Sequence, residues 1–188
     1  NHLLWSGDRS QELKWRLDGH SYKDISDRGG GIAYTVGETR NTPLDELSFI
    51  GRARLKEATR NGTTAMEVKS GYGLSTTSEL ALLECANKLS KFTHLPSLDI
   101  TWLGAHAAPP GDGDSESRRK RYVEEIIDEQ LPEVIKQGYA KYADVFCEPG
   151  WFTLDETEQI CSAAKKEGLG IRLHVDEFRD GGGAGLAS

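Results

Sequence analysis

The sequence predicts an α/β fold of the (β/α)8-barrel kind, with about the first five strands of the barrel present. Three observations carry that expectation. From residue 42 onward short apolar runs of strand length alternate with longer segments of helical period, and strands separated by helices pair in parallel through right-handed crossovers. In the strand candidates ionisable residues recur on one face. Arg172, His174 and Asp176 oppose Ile171, Leu173 and Val175, Glu67 and Lys69 oppose Met66 and Val68, and Asp144, Phe146 and Glu148 oppose Val145 and Cys147. A sheet covered by helices on both faces is apolar on both. A barrel turns its polar positions inward and builds its site where the strands end. Gly71-Tyr72, His106, Glu148 and Asp176-Glu177 all fall at or just past such ends.

Each element follows from local chemistry. Asn1 to Trp5 reads as the end of a first strand running into a polar loop. Thr42-Pro43-Leu44-Asp45-Glu46 supplies an N-cap, a first-turn proline and acidic residues, and Leu47, Ile50, Ala53, Leu55 and Ala58 give that helix its apolar face. Asn61-Gly62 ends it. Thr63 to Lys69 is the next strand, and Ser70-Gly71-Tyr72-Gly73-Leu74 is a glycine-bounded loop. A helix from about Thr77 carries Leu80, Leu83, Ala86 and Leu89 at helical spacing. Leu98 to Ala105 is a strand, residues 109–113 a loop, and Arg118 to Gln137 a helix closed by Gly138. Ala143 to Cys147 is a strand, Thr153 caps a helix through Lys166, and Gly168 to Val175 is the last strand.

The chain has 188 residues, with 23 Lys plus Arg against 30 Asp plus Glu and a net charge of −7. That balance excludes a basic nucleic-acid surface. With no apolar run of membrane-spanning length and no basic leader, the expectation is a cytoplasmic protein. Cys85, Cys147 and Cys161 are an odd number without metal spacing and read as reduced core thiols. A typical barrel has about 250 residues, so residues 1–188 are expected to be one partial barrel domain of a larger protein.

Among candidate site residues, His174 on the polar face of the last strand suits a metal ligand or an acid-base group. His106 follows a strand end closely enough to face the same mouth, whereas His2 alone reads as an ordinary terminal residue. His20 and His94 receive no role. Arg9 offers a bidentate grip on a carboxylate, or pairs with a local acid. Tyr72 presents a phenol between glycines that let backbone approach a ligand. Glu67 and Glu148 fit acid-base roles, or salt bridges with Lys69 and Arg172. Gly29-Gly30-Gly31 and Gly181-Gly182-Gly183 lack phosphate-loop spacing and read as flexible loops, and the basic run at residues 118–121 reads as the solvated opening of a helix.

These segments together resemble the imidazolonepropionase family of the amidohydrolase superfamily. The resemblance rests on His2-Leu3 through Gly7-Asp8-Arg9, on Gly29-Gly30-Gly31-Ile32 with Thr35-Val36 and Thr39-Arg40, and on Glu67-Val68-Lys69-Ser70-Gly71-Tyr72-Gly73-Leu74. It continues in Leu103-Gly104-Ala105-His106, Asp144-Val145-Phe146-Cys147-Glu148 and Leu173-His174-Val175-Asp176-Glu177. It implies a TIM barrel of the metal-dependent hydrolase type with one Zn or Fe ion, hydrolysing the ring amide of 4-imidazolone-5-propanoate to N-formimidoyl-L-glutamate in histidine breakdown. By that likeness His2 is the second histidine of an H-x-H pair and His174 a third metal ligand. The first histidine and a later aspartate ligand are not in these 188 residues, so the chain alone is expected to be inactive. The same likeness implies that Arg9 and Tyr72 would hold the propanoate, that His106 and Glu177 would contact the ring and act in catalysis, and that Asp176 would support them. The expected partners are this small molecule and a second copy in a homodimer. The competing readings are another cyclic amidohydrolase or deaminase, which has no propanoate for Arg9 and Tyr72 to anchor, and an incomplete ligand-binding barrel.

Overall fold

A computed structural model describes residues 1–21, 24–25, 28–110 and 112–187. Its elements are α1 (Ser10–Leu17), α2 (Gly31–Asn41), α3 (Leu44–Arg60), β1 (Ala65–Lys69), α4 (Thr76–Leu89), β2 (Ser97–Ala105), α5 (Ser115–Glu125), a π-helical turn (Ile126–Gln130), α6 (Leu131–Gln137), β3 (Tyr142–Cys147), α7 (Leu154–Lys166), β4 (Gly170–Val175) and α8 (Gly183–Leu186). The strands form one parallel sheet in the order β1-β2-β3-β4.

Neighbouring strands lie about 4.8 Å apart, which would separate β1 from β4 by about 14 Å in a flat sheet. Yet Arg172 Nη1 on β4 lies 2.5 Å from Glu67 Oε1 on β1, and Lys69 on β1 pairs with Asp144 on β3. The sheet is therefore curled into part of a barrel, concave on its polar side. Its convex side is apolar. Val68, Trp102 and Val145 join Leu83 and Leu89 of α4, Tyr122 and Val123 of α5, Ile126 of the π turn and Ile160 of α7 in one core.

The expected first strand is not formed as such, and the described sheet has four strands rather than five. Asn1 lies beside β1 and its carbonyl accepts from the Lys69 amide at 2.8 Å. The next carbonyls turn elsewhere: Arg54 Nη1 donates to Leu3 O and Trp5 O at 2.7 and 2.9 Å. One ladder bond does not make a strand. Leu3 and Leu4 are nevertheless buried, and Leu4 and Leu89 approach Gly51 of α3 so closely that an added Cβ would lie 2.8 and 2.9 Å from their methyls.

Thr42 does not cap α3. Its hydroxyl donates to Glu38 O at the end of α2, and Pro43 stands at the N-cap. The triple glycine at residues 29–31 is no loose loop either, since Gly31 opens α2 with its amide donating to Glu12 Oε1 at 2.7 Å. The helix expected over residues 118–137 starts earlier, behind Asp114, whose carboxylate accepts from the Ser117 amide. It widens into the π turn just before Pro132, which has no amide to give to the preceding turn. Within the basic run, Arg119 is not solvated but grips Glu156 of α7 through Nε at 2.7 and 2.9 Å. Thr153 and Glu156 complete the expected cap of α7 as a reciprocal capping box. Gly138 closes α6 at φ 70°. Gly111 of the 109–113 loop lies outside the described residues.

Burial separates the helix faces energetically. Leu55 is fully buried, whereas Leu17 of α1 is 80% exposed. Leu55→Ala is expected to lower stability by about 3 kcal/mol through lost contacts and a residual cavity, and Leu17→Ala by less than about 0.5 kcal/mol. Urea unfolding midpoints measure both, and equal effects would contradict this packing.

Candidate functional site

The concave face carries charge at its floor and imidazoles at its rim. At the floor Arg172 donates to Glu67 Oε1 and Thr101 Oγ1, both at 2.5 Å, and to Asp99 Oδ2 at 3.0 Å. Its guanidinium also lies 3.6 Å over the Tyr142 ring. Glu67 takes Lys69 Nζ at 2.9 Å, so the salt-bridge reading of Glu67 is the one realised. Burial works against its ionisation, but the Lys69 hydrogen bond and charge and the Thr101 hydrogen bond outweigh it and draw the carboxyl down to about 2.

One layer up, the Asp144 side chain is wholly buried between Lys69 and His174. Desolvation opposes its charge, yet His174 and Lys69 hold the carboxyl below its ordinary value. His174 directs Nδ1 at Asp144 Oδ1, 3.1 Å away. That contact orients the ring and leaves Nε2 as the nitrogen available to a ligand.

The rim joins residues far apart in sequence. His2, Tyr72 and His106 form a ring cluster, with centroids 4.4 Å apart for His2 and Tyr72, 4.7 Å for His2 and His106, and 5.2 Å for Tyr72 and His106. A one-residue irregularity turns His106 toward this cluster. The β2–β3 register passes from Trp102 opposite Ala143 to Ala105 opposite Val145. Strict alternation from Thr101, which faces the floor, would send His106 to the convex side, and the extra residue reverses that parity. Gly104, where a Cβ would meet Trp102 Nε1 and Gln130 Oε1 at 2.7 Å, was the sequence signal for it.

His106 Nδ1 lies 2.8 Å from Gly71 O. A carbonyl only accepts, so the neutral ring carries its proton on Nδ1 and keeps a lone pair on Nε2. Burial pulls His106 down to about 4 and, with the neighbouring His106 and His174, holds His2 well below the usual histidine value. The rim imidazoles are neutral near pH 7. His2 Nδ1 is buried with no hydrogen-bond partner.

Arg9 and Tyr72 share one cleft of about 400 Å³ with Trp5, Gly7, Glu12 and Thr35. Arg9 is gripped there by Glu12, through Nε to Oε1 at 2.8 Å and Nη2 to Oε2 at 2.7 Å. The local acid is therefore Glu12. Asp8 instead binds Ser10.

At the end of β4 the pleat stops. Asp176 sits at φ 56° and turns its carboxylate to the amides of Gly181, Gly183 and Ala184, so it ties down the 181–184 loop instead of pointing inward as strict alternation predicts. Glu177 reaches the rim through its backbone, its amide donating to Glu148 Oε1 at 2.5 Å, while the side chain is exposed. The other oxygen of Glu148 is buried without a partner. Phe146 bridges the two sides, its ring 6.0 Å from both His106 and His174 and 5.1 Å from Trp151. Phe146 lies on the face that period-two alternation marks as inward, but neither it nor Trp151 carries an ionisable group to signal a site.

Among the described residues no group of three or more His, Cys, Asp or Glu is gathered to hold a metal ion. Two imidazoles there have the donor chemistry of metal ligands: His2 has an orphaned buried nitrogen, and His174 is oriented by a carboxylate. Among the same residues no helix is long and apolar enough to cross a membrane.

Over its whole length the chain is 43% identical to a curated protein named imidazolonepropionase from Shewanella sediminis, and 44% identical to ones of the same name from Shewanella putrefaciens and Symbiobacterium thermophilum. These alignments cover 45%, 45% and 43% of the relatives. The chain thus spans less than half the length of the curated relatives it matches. No family model matches it. The likeness read from the motifs therefore extends to homologues of that name along the entire chain.

The floor predicts an acid response. Because the Glu67 carboxyl is depressed in the fold to about 2 from an ordinary 4.5, its contribution to stability is complete above the ordinary value and is lost as pH falls through the depressed one. Urea midpoints followed from pH 5 toward pH 2, both approximate limits, are expected to drop steeply in the native chain and less steeply in Glu67→Gln. Parallel curves would remove Glu67 from the linkage.

Proposed function

We propose that the polypeptide carrying this chain hydrolyses the ring amide C–N bond of 4-imidazolone-5-propanoate to N-formimidoyl-L-glutamate, in histidine degradation. The observation that carries the reading is that Arg9 and Tyr72 line one cleft while Tyr72 also packs against His2 and His106. A carboxylate anchor and an imidazole cluster are thereby joined through one side chain. The relatives' name supports the substrate, and the curled parallel sheet supports a barrel of the metal-dependent hydrolase type.

In this reading Glu12 fixes the Arg9 guanidinium, which meets the propanoate by charge-assisted hydrogen bonds, and the Tyr72 phenol adds a donor. His2 and His174 would hold one Zn or Fe ion, with further ligands from outside these 188 residues. When bound, such an ion acidifies water and polarises a carbonyl. His106 offers the Nε2 lone pair to a proton of the ring or of the attacking water, and Gly71 holds the ring for that task. Water oxygen bonds to the ring carbonyl carbon, the C–N bond breaks, and a proton passes to the leaving nitrogen, with Glu177 as its carrier. The phenyl ring of Phe146 shields the imidazoles from bulk water.

Arg9→Ala in the natural polypeptide is expected to raise KM about tenfold or more with a smaller change in kcat, the pattern of a lost binding contact. Unchanged kinetics on 4-imidazolone-5-propanoate would sink the anchor. For the 188 residues alone, elemental analysis after dialysis is expected to find Zn and Fe well below one per chain. A tightly held stoichiometric ion would show that two histidines are not the whole set this chain provides.

A further inference from the structure

We propose that Glu79 and Arg40 are positioning residues that clamp the Ser70–Leu74 loop from its two sides and so fix Tyr72 and the orientation of His106; the role this gives them in substrate binding rests on the hydrolase reading above. Glu79 is fully buried on α4. Its Oε1 accepts from the amides of Gly73 and Leu74 at 2.7 and 2.8 Å, and its Oε2 from Gly71 at 3.0 Å. From the opposite side Arg40, at the end of α2, donates through Nε to Gly73 O at 2.5 Å and through Nη2 to Leu74 O at 2.8 Å. The loop thus turns its donors to an acid and its acceptors to a base.

The loop needs such a hold. Leu74 stands at φ 48° and Gly71 at φ 104°, and leucine seldom occupies the left-handed region. A Cβ on Gly73 would lie 2.6 Å from the Glu79 amide, so the loop lies hard against α4. Glu79 is not needed to cap that helix, because Ser75 already accepts from the Ser78 amide. Its carboxylate instead accepts from the amides of Gly71, Gly73 and Leu74, in a loop whose other contacts lead into the rim. The Gly71 amide binds Glu79 and the Gly71 carbonyl binds His106 Nδ1. Tyr72 lies between two glycines that Glu79 anchors, with its ring on His2. One buried carboxylate thereby sets both the His106 tautomer and the place of the Tyr72 phenol.

The test uses Glu79→Gln and Arg40→Gln in the natural polypeptide, with 3-(imidazol-4-yl)propanoate as a non-reacting probe and circular dichroism to confirm folding. Nitrogen NMR reads the His106 tautomer, and calorimetry reads the probe's affinity. In both variants His106 is expected to lose its single Nδ1-protonated form, and probe binding to weaken about tenfold, as for a displaced contact group. In a Tyr72→Phe background Glu79→Gln is expected to cost clearly less than it does alone, because it acts through Tyr72. Folded variants with an unchanged His106 spectrum, or losses that simply add to that of Tyr72→Phe, would overturn the proposal. Should Glu79→Gln fail to fold, Arg40→Gln, whose side chain is exposed, carries the same readings. If the native protein ignores the probe while the His106 spectrum still responds, the substrate reading falls and the clamp stands.

Discussion

The structure depends on pairing the charges at the floor of the concave face of a curled sheet. Lys69 and Asp144 lie where water is largely excluded, with Arg172 partly buried beside them, and a buried charge is tolerated only when paired and hydrogen-bonded. The partners come from three strands: Lys69 and Glu67 from β1, Asp144 from β3, Arg172 from β4. Satisfying these charges draws the first and last strands together across the face. The curl that results also brings His2, His106 and His174 within reach of one another's fields.

Charge is graded along the strands. Full ionic pairs occupy the floor, the Asp144–His174 contact lies above them, and neutral imidazoles form the rim. Burial keeps the rim histidines uncharged, and a neutral imidazole is the form that either binds a metal or accepts a proton. The permanent cations are spoken for by Glu67, Asp99 and Asp144 below, and by Glu12 at the outer cleft. Under the proposed function, the net negative charge does not exclude an anionic substrate, because the Arg9 guanidinium lines the cleft where the propanoate would lie.

The strands and their inward faces were legible because period-two alternation is strong where one face is ionic. Arg172 and His174 announced their side directly, and the Thr153–Glu156 signature gave the start of α7. Three features were hidden for definite reasons. α2 contains Gly31, Tyr34, Thr35, Val36 and Gly37, weak helix formers held by a contact to Glu12 from another element. The N-terminal segment has a strand's apolar residues but gives its carbonyls to Arg54, a partner fifty residues away that no local pattern reveals. His106 was legible as a residue just past a strand end, yet the register shift that turns it inward, the stacking on His2 and the Glu79 contact behind it are tertiary facts. His2 alone looked unremarkable. Only the likeness to a family gave it a part, and only the ring cluster shows what surrounds it.

The sheet order β1-β2-β3-β4 follows the order of synthesis. Every new strand pairs with the one made just before it, so loop closure at each step is short and contacts accumulate locally. The bonds that close the curl are different: Lys69 to Asp144 spans 75 residues and Glu67 to Arg172 spans 105. A chain emerging from the ribosome can therefore stack strand on strand while its concave side is still open to water. Its inner charges gain their long-range partners only as β3 brings Asp144 to Lys69 and β4 brings Arg172 to Glu67.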